Sequence, residues 1–352
     1  MGGRRRVQEI ISETLEHSSQ DSDPDGPSMR STLTVVICAY TLERWDDIVR
    51  SVQSLRDQET HPDQIILVTD HNAELQERAF EEFPDLEVIP NRERPGLSGA
   101  RNTGIAAARA DIVAFLDDDA VAEPDWLRWF ADGFAEPEVM GVGGLTLPVW
   151  ASGRRPGWYP QEFDWVHGAT YRGMPTGRAR VRNVLGGNAS FRRSAFDVAG
   201  GFSAKIGRGA DAGSDGRPVR PLGGEETELC IRIHQERPGS VFLFDDRSVI
   251  HHRVPAERER FGYFRTRCWA EGLSKAQVAE RVGAGDGLSS ERYYASRTLP
   301  AGILRGLAET LRGDAAGLAR AAAIASGGLI TAVGYVLGVC LQRVNHTRGD
   351  HR

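Results

Sequence analysis

The sequence predicts an α/β protein built on a mostly parallel sheet. Short apolar runs rich in aliphatic residues recur at 33–39, 65–68, 86–89 and 112–116. Segments with helical spacing of apolar residues separate them, which is the pattern of βαβ units. Three consecutive aspartates, Asp117, Asp118 and Asp119, follow the fourth run. They stand at the carboxyl end of a predicted strand, where open α/β sheets bind their ligands.

The elements follow in order. Leu33 to Ala39 reads as a buried strand of β-branched residues. Trp45, Ile48, Val49, Val52 and Leu55 predict the first helix. Ile65 to Val68 is the second strand, ending at Thr69 and Asp70; Leu75, Ala79, Phe80 and Phe83 mark the second helix. Leu86 to Ile89 is a third strand, Gly99 to Arg109 a third helix and Ile112 to Leu116 a fourth strand. Right-handed crossovers gather the strand ends, Ala39, Tyr40, Asp70 and the three aspartates, on one edge. In an extended segment Asp117 and Asp119 share a face and Asp118 points away. Two such carboxylates suit a hard divalent cation that also binds phosphate oxygens. Their alternative is a charged strand end that only stops the sheet.

Beyond the aspartates a helix starts near Pro124, with proline in its first turn. Val139 to Trp150 is strand-like but glycine-rich, and 151–182 is irregular. Val184 to Phe191 carries Gly186, Gly187 and Asn188, where backbone approaches a ligand or a second segment closely. Residues 203–223 read as a polar loop whose length suits either a functional lid or a disordered segment. Glu225 opens another helix, with Glu228 and Arg232 as an i,i+4 pair. Val241 to Phe244 and Val249 to Ile250 look like two short strands, and 259–282 is helical.

The chain has 352 residues, 40% of them hydrophobic, enough for one large or two modest domains. A net charge of −6 argues against nonspecific nucleic-acid binding. The four cysteines are scattered without a CxxC pair, which fits reduced thiols in a cytosolic protein and gives no zinc site. The Arg-rich start lacks the apolar core of a signal peptide. Residues 1–31 are expected to be a disordered tail with at most a short helix near Val7 to Leu15, and Met29 is an alternative start. Residues 321–342 carry no charge and match the length of a membrane span, though diluted by glycine. An interfacial or buried helix is the expectation there, with membrane-surface contact through the C-terminal helices.

Taken together, Val35 to Tyr40, Asp70, Ala100 to Gly104, Asp117 to Asp119, Gly187 to Ser190, Gly200 to Phe202 and Glu225 to Arg232 resemble the inverting family 2 glycosyltransferases of the GT-A fold, here of bacterial type. The resemblance covers about residues 33–255. It implies a GT-A domain over 32–257, with a nucleotide-sugar-binding half (32–120) and an acceptor-binding half (121–257). A helical region, 258–343, and a tail, 344–352, follow.

The resemblance also implies site residues. Ala39, Tyr40 and Asp70 hold base and ribose, with Glu43 assisting; Asp70 could equally cap the next helix. Arg101 and Asn102 reach phosphate or sugar, and Asp117 and Asp118 touch the donor. Asp119 binds Mn²⁺ or Mg²⁺, with His251 preferred over His252 as a further ligand. The base comes from Glu225–Glu226: Glu226 takes it by position, Glu225 is the fallback, and glutamate stands where the family commonly has aspartate. Gly187 and Asn188 face the acceptor. In the 203–223 loop Arg208, Arg217 and Arg220 are placed to meet a phosphate, with an exposed polar loop as the alternative. The implied reaction moves one sugar by single displacement from a nucleotide-sugar donor, UDP-linked by preference, to a sugar, lipid-linked or small-molecule acceptor. A place in polysaccharide, glycolipid or glycosylated-metabolite synthesis follows, in the cytoplasm or on the inner face of the membrane. The absence of a QxxRW motif and of several clear spans favours single transfer over polymerisation. The alternatives are a metal-dependent nucleotidyltransferase, for which no phosphate loop is present, and a non-catalytic nucleotide-sugar-binding protein.

Overall fold

In the computed structural model, residues 31–204, 206 and 222–349 are described, with side chains up to Arg343. The tail reading for 1–30, the helix near Val7, most of the 203–223 loop and Arg208, Arg217 and Arg220 lie outside the described residues. Thr32–Arg352 forms one compact unit.

The described strands are β1 (Leu33–Ala39), β2 (Gln64–Thr69), β3 (Glu87–Pro90), β4 (Ile112–Asp117), β5 (Ala120–Ala122), β6 (Val139–Trp150), β7 (Ala179–Val181), β8 (Asn188–Arg192) and β9 (Val241–Val254). The longer helices are α1 (Trp45–Arg56), α2 (Ala73–Glu82), α3 (Leu97–Ala107), α4 (Trp126–Gly133), α5 (Arg193–Ala199), α6 (Glu225–Glu236), α7 (Phe261–Val282), α8 (Leu299–Leu311) and α9 (Ala316–Gly349). One sheet runs β3-β2-β1-β4-β8-β6-β9-β5, with β7 on β9.

The predicted parallel sheet is the first half: β2, β1 and β4 pair in parallel, as do β2 and β3. The second half is mixed, because β8 runs antiparallel to both β4 and β6. The two short strands predicted at 241–250 are one strand, β9. Its ladder on β6 jumps from Asp245 to Val249, so residues 246–248 bulge out. Asp245 anchors that bulge by accepting from Arg178 and Arg247. A polar interruption that reads as a turn is therefore a bulge in a continuous strand.

Alternation along β1 divides the core. Leu33, Val35, Ile37 and Ala39 pack with Ile48, Val52 and Leu55 of α1 on one face. Val36 packs with Ile66, Phe115, Phe191 and Leu229 on the other. A third cluster joins Trp150, Tyr159, Phe163 and Val166 to Phe264 and Cys268 of α7 and Ile324 of α9. The C-terminal helices thus cover the irregular 151–168 segment. The expected tail at 344–352 begins as helix, since α9 continues to Gly349.

Candidate active site

A cavity of about 1230 Å³ opens along the carboxyl edge of the parallel strands. Its wall gathers Ala39, Tyr40, Asp70, Arg101, the three aspartates, Gly187, Glu225 and Glu226 from separate stretches of chain. β1 delivers Tyr40, which is 54% exposed at the mouth. β2 delivers Asp70, and it does not cap α2: Asn72 does, accepting from Leu75 N–H. Asp70 instead accepts from Asn91 Nδ2 at 2.6 Å and Gly96 N–H at 2.8 Å, tying the loop before α3 to the strand tip.

β4 delivers the aspartates. Asp117 and Asp119 converge with His252 of β9, their ligand atoms all within 4.8 Å of one another. His252 Nε2 lies 3.0 Å from Asp119 Oδ1 and 3.9 Å from Asp117 Oδ2. Asp118 turns to Arg44, whose Nη1 is 2.7 Å from Asp118 Oδ1 and 3.1 Å from Asp119 Oδ2. Burial, then the neighbouring charge of Asp119, pushes Asp118 up to about 7 against the pull of Arg44. Burial opposes ionisation of Asp119 too, but His252 and Arg44 hold it below the usual carboxylate range. Asp118 Oδ2 is buried without a hydrogen-bond partner. Asp117 and Asp119 line the cavity with His252 buried beside them, and two carboxylates and an imidazole together fit a divalent cation.

The histidine assignment from sequence is corrected here. His251 faces the other side of β9 and pairs with Glu123 at 2.5 Å, so its neighbour makes the cluster. One step along a strand reverses the side chain, and only the β5–β9 register decides which histidine turns inward.

α6 delivers the glutamates from its first turn, after Gly224 at φ 94°. Arg101, nearly buried beneath the site, joins the two acidic groups: Nη1 is 3.1 Å from Glu225 Oε1 and Nη2 is 3.6 Å from Asp117 Oδ1. Its guanidinium lies over Phe115 and Phe202. Glu225 is therefore the ion-paired member. Glu226 faces the cavity, and burial followed by the charge of Glu225 raises its pKa to about 8. Gly187 gives the wall its shape: a Cβ there would sit 2.2 Å from Asp117 Oδ2.

Three further assignments are corrected. Asn188 is buried outside the cavity, accepting from Trp126 Nε1 at 2.8 Å and donating to the carbonyls of Leu145 and Ser248. It locks β8 in place and offers nothing to an acceptor. Asn102 donates to Phe202 O and accepts from Phe202 N–H, clamping the Gly200–Phe202 turn rather than a donor. Glu43 does not line the cavity; Arg44, one residue on, does, with its guanidinium 5.2 Å from the Tyr40 ring centroid. Sequence reading missed Arg44, His252 as an inward ligand, and the cavity residues of the C-terminal helices. Arg44 lay one position from a residue that was picked out, and nothing in the local pattern distinguishes the two.

The glycosyl transferase family 2 model matches residues 34–200. The glucosyl-dolichyl phosphate glucuronosyltransferase of Haloferax volcanii is 32% identical over 247 residues, covering 69% of this chain and 76% of that protein. The chain belongs to glycosyl transferase family 2. The pre-mycofactocin glycosyltransferase of Mycobacterium tuberculosis is 31% identical over 245 residues, spanning 66% of this chain and 46% of that relative. Among solved structures, the mannosyltransferase PcManGT from Pyrobaculum calidifontis, in complex with GDP-Man and Mn²⁺, superposes with a TM-score of 0.54 at 16% identity. That likeness covers 94% of both chains and gives this family 2 glycosyltransferase the GT-A fold. Membership sets aside the nucleotidyltransferase and non-catalytic readings.

Proposed function

We propose that this glycosyltransferase inverts the anomeric centre of a nucleotide-diphosphate sugar in one displacement, with Glu226 as general base. The observation that carries the reading is the meeting of two chemistries in one cavity. Asp117, Asp119 and His252 converge on one another, and Glu226, whose pKa is raised, lines the same cavity as the two aspartates. Asp117, Asp119 and His252 would hold Mn²⁺ or Mg²⁺. A bound cation supplies Lewis-acid neutralisation of the departing nucleoside diphosphate. Tyr40 and Asp70 receive base and ribose at the strand tips. Arg101 pairs with Glu225, which leaves Glu226 to take the proton. The acceptor oxygen bonds to the anomeric carbon as the carbon–oxygen bond to the diphosphate breaks. The electron pair leaves with the nucleotide, and the acceptor proton goes to the Glu226 carboxylate. No covalent enzyme intermediate is formed.

The UDP preference stands as this reading's donor, with GDP the competitor raised by the ligand of PcManGT. Products in cell-surface polysaccharide, glycolipid or glycosylated metabolites, made on the cytoplasmic face of the membrane, complete the reading. The test is hydrolysis of a panel of UDP-, GDP- and dTDP-sugars with Mn²⁺ or with chelator, by wild type and Asp119→Ala. Turnover of one donor, abolished by chelator and in the variant, is expected. Turnover that survives both would sink the metal-assisted mechanism.

A further inference from the structure

Arg258 stands apart from the other cations of the cavity wall. Arg44 is engaged by Asp118 and Asp119, Arg101 by Glu225 and Asp117, and Arg182 by Glu291. Arg258 lines the same cavity, and among the described residues its guanidinium makes no hydrogen bond and no ion pair. Arg180 and Arg292 also line it without an ion pair among the described residues, but both are exposed, whereas Arg258 is half-buried.

Local structure brings Arg258 to the metal-binding carboxylates. β9 carries His252 to Asp119 and ends at Val254, fully buried in the third core cluster. A single 3-10 turn, Ala256–Glu259, follows, with Arg258 N–H donating to Pro255 O at 2.9 Å. The guanidinium lies over the Tyr263 ring, 5.8 Å from its centroid. Tyr263 in turn stacks on the buried His167, the rings 4° from parallel with centroids 5.6 Å apart. An arginine resting on an aromatic face keeps its N–H edge for another partner, because the ring takes only the plane of the group. Burial opposes ionisation of Asp119, and Arg258 joins His252 and Arg44 in favouring it, so this charge is felt at the metal cluster.

The balance of charge gives Arg258 its task. Three aspartates and a diphosphate gather more negative charge than one divalent cation offsets. Arg44 and Arg101 already face carboxylates of the protein, and Arg258 does not. Resting on the nucleotide-diphosphate-sugar reading above, we propose that Arg258 is a further catalytic residue, which binds the donor's diphosphate and stabilises it as it departs. As the bond from the anomeric carbon to the diphosphate oxygen breaks, the electron pair stays on the diphosphate. The guanidinium meets that charge with its N–H donors and keeps its own protons. Tyr263, backed by His167, is the positioning residue that holds the guanidinium plane. Arg258 lies beyond residues 34–200, the stretch that the family model matches.

Calorimetric titration of the full chain with UDP, UMP, GDP and GMP, each with Mn²⁺, tests this. Wild type is expected to bind one nucleoside diphosphate at least about tenfold tighter than its monophosphate. Arg258→Ala should lose most of that preference, Arg258→Lys should keep part of it, and Tyr263→Leu should fall between wild type and Arg258→Ala. Arg292→Ala should leave it within about twofold, as should the Mn²⁺ affinity of Arg258→Ala measured without nucleotide. The preference is a ratio read within each variant, so a loss of folded protein does not imitate it. Donor hydrolysis by Arg258→Ala should fall at least about tenfold in kcat. Two outcomes overturn the proposal: an Arg258→Ala that keeps the wild-type preference, and one that weakens diphosphate and monophosphate equally. Both leave the metal-assisted reading standing. A wild type that binds neither UDP nor GDP fails that reading itself and takes this proposal with it.

Discussion

The two ends of the cavity are built on opposite principles. At the donor end, a parallel sheet of aliphatic strands holds single charged side chains at its tips, each fixed by a partner: Asp70 by Gly96, Asp118 by Arg44, Asp117 by Arg101. At the other end, proposed to take the acceptor, residues 161–182 and helices from the last third of the sequence close around the cavity. The first end has its polar groups paired and pre-positioned, as transition-state stabilisation requires. The second sets aromatic side chains such as Phe163, Trp165 and Tyr294 beside an ion-paired cluster of Arg182, Lys275, Glu271 and Glu291. On the proposed reading the difference makes chemistry and acceptor choice separable, and substitutions should separate them.

The strongest way to break the donor end is Asp119→Ala, which removes a carboxylate worth several kcal/mol of charge stabilisation. Donor turnover is expected to fall at least about 1,000-fold with the circular dichroism spectrum unchanged. Glu226→Gln comes next: sugar transfer should drop about 100- to 10,000-fold, while nucleotide affinity, measured by calorimetry, stays within about twofold. His252→Ala should weaken Mn²⁺ binding about 10- to 100-fold and His251→Ala by less than about twofold. Equal effects from the two histidines would overturn the cluster drawn here.

A milder probe is pH. Glu226 acts as base only when deprotonated, and its pKa is raised to about 8. The kcat/KM of wild type should therefore rise with pH and level off above about 8. The linked stability runs the opposite way. The folded state holds this proton more tightly than the unfolded chain, so ionisation costs stability as pH climbs from the ordinary glutamate range towards 8. Glu226→Gln should accordingly melt higher than wild type above pH 8 and lose that advantage in acid. The smallest effect belongs to the scaffold. Asn188→Ala should cost about 2–3 kcal/mol in denaturant unfolding, since it strands the Trp126 indole N–H, without changing donor KM.

Much of the donor end was legible in the sequence. Leu33 to Ala39 and Ile112 to Leu116 have to be strands, because runs that apolar are stable only when covered on both faces. Aspartates following such a strand have to stand at its exposed end. Asp117 and Asp119 were legible as a pair for the same reason, through the two-residue period of extended chain. His251 and His252 were not, because adjacent residues in a strand face opposite ways and the inward one depends on which partner strand fixes the register. Asn188 and Asn102 look like polar residues near a site in the sequence. Tertiary packing uses them as internal hydrogen-bond locks, a role that a short polar side chain fills as readily as ligand binding.

The sequence by itself determined the sheet, the strand-end aspartates and the glutamate pair at the start of α6, because local apolar periodicity and motif order carry them. Only the tertiary structure decided that Arg101 bridges Glu225 and Asp117, that His252 turns inward, and that the last helix floors the cavity. Those three rest on the contacts Arg101–Glu225, Asp119–His252 and Phe163–Gly327, between residues 124, 133 and 164 positions apart, and no local pattern encodes such pairings; they arise when the core packs and each charge must find its partner.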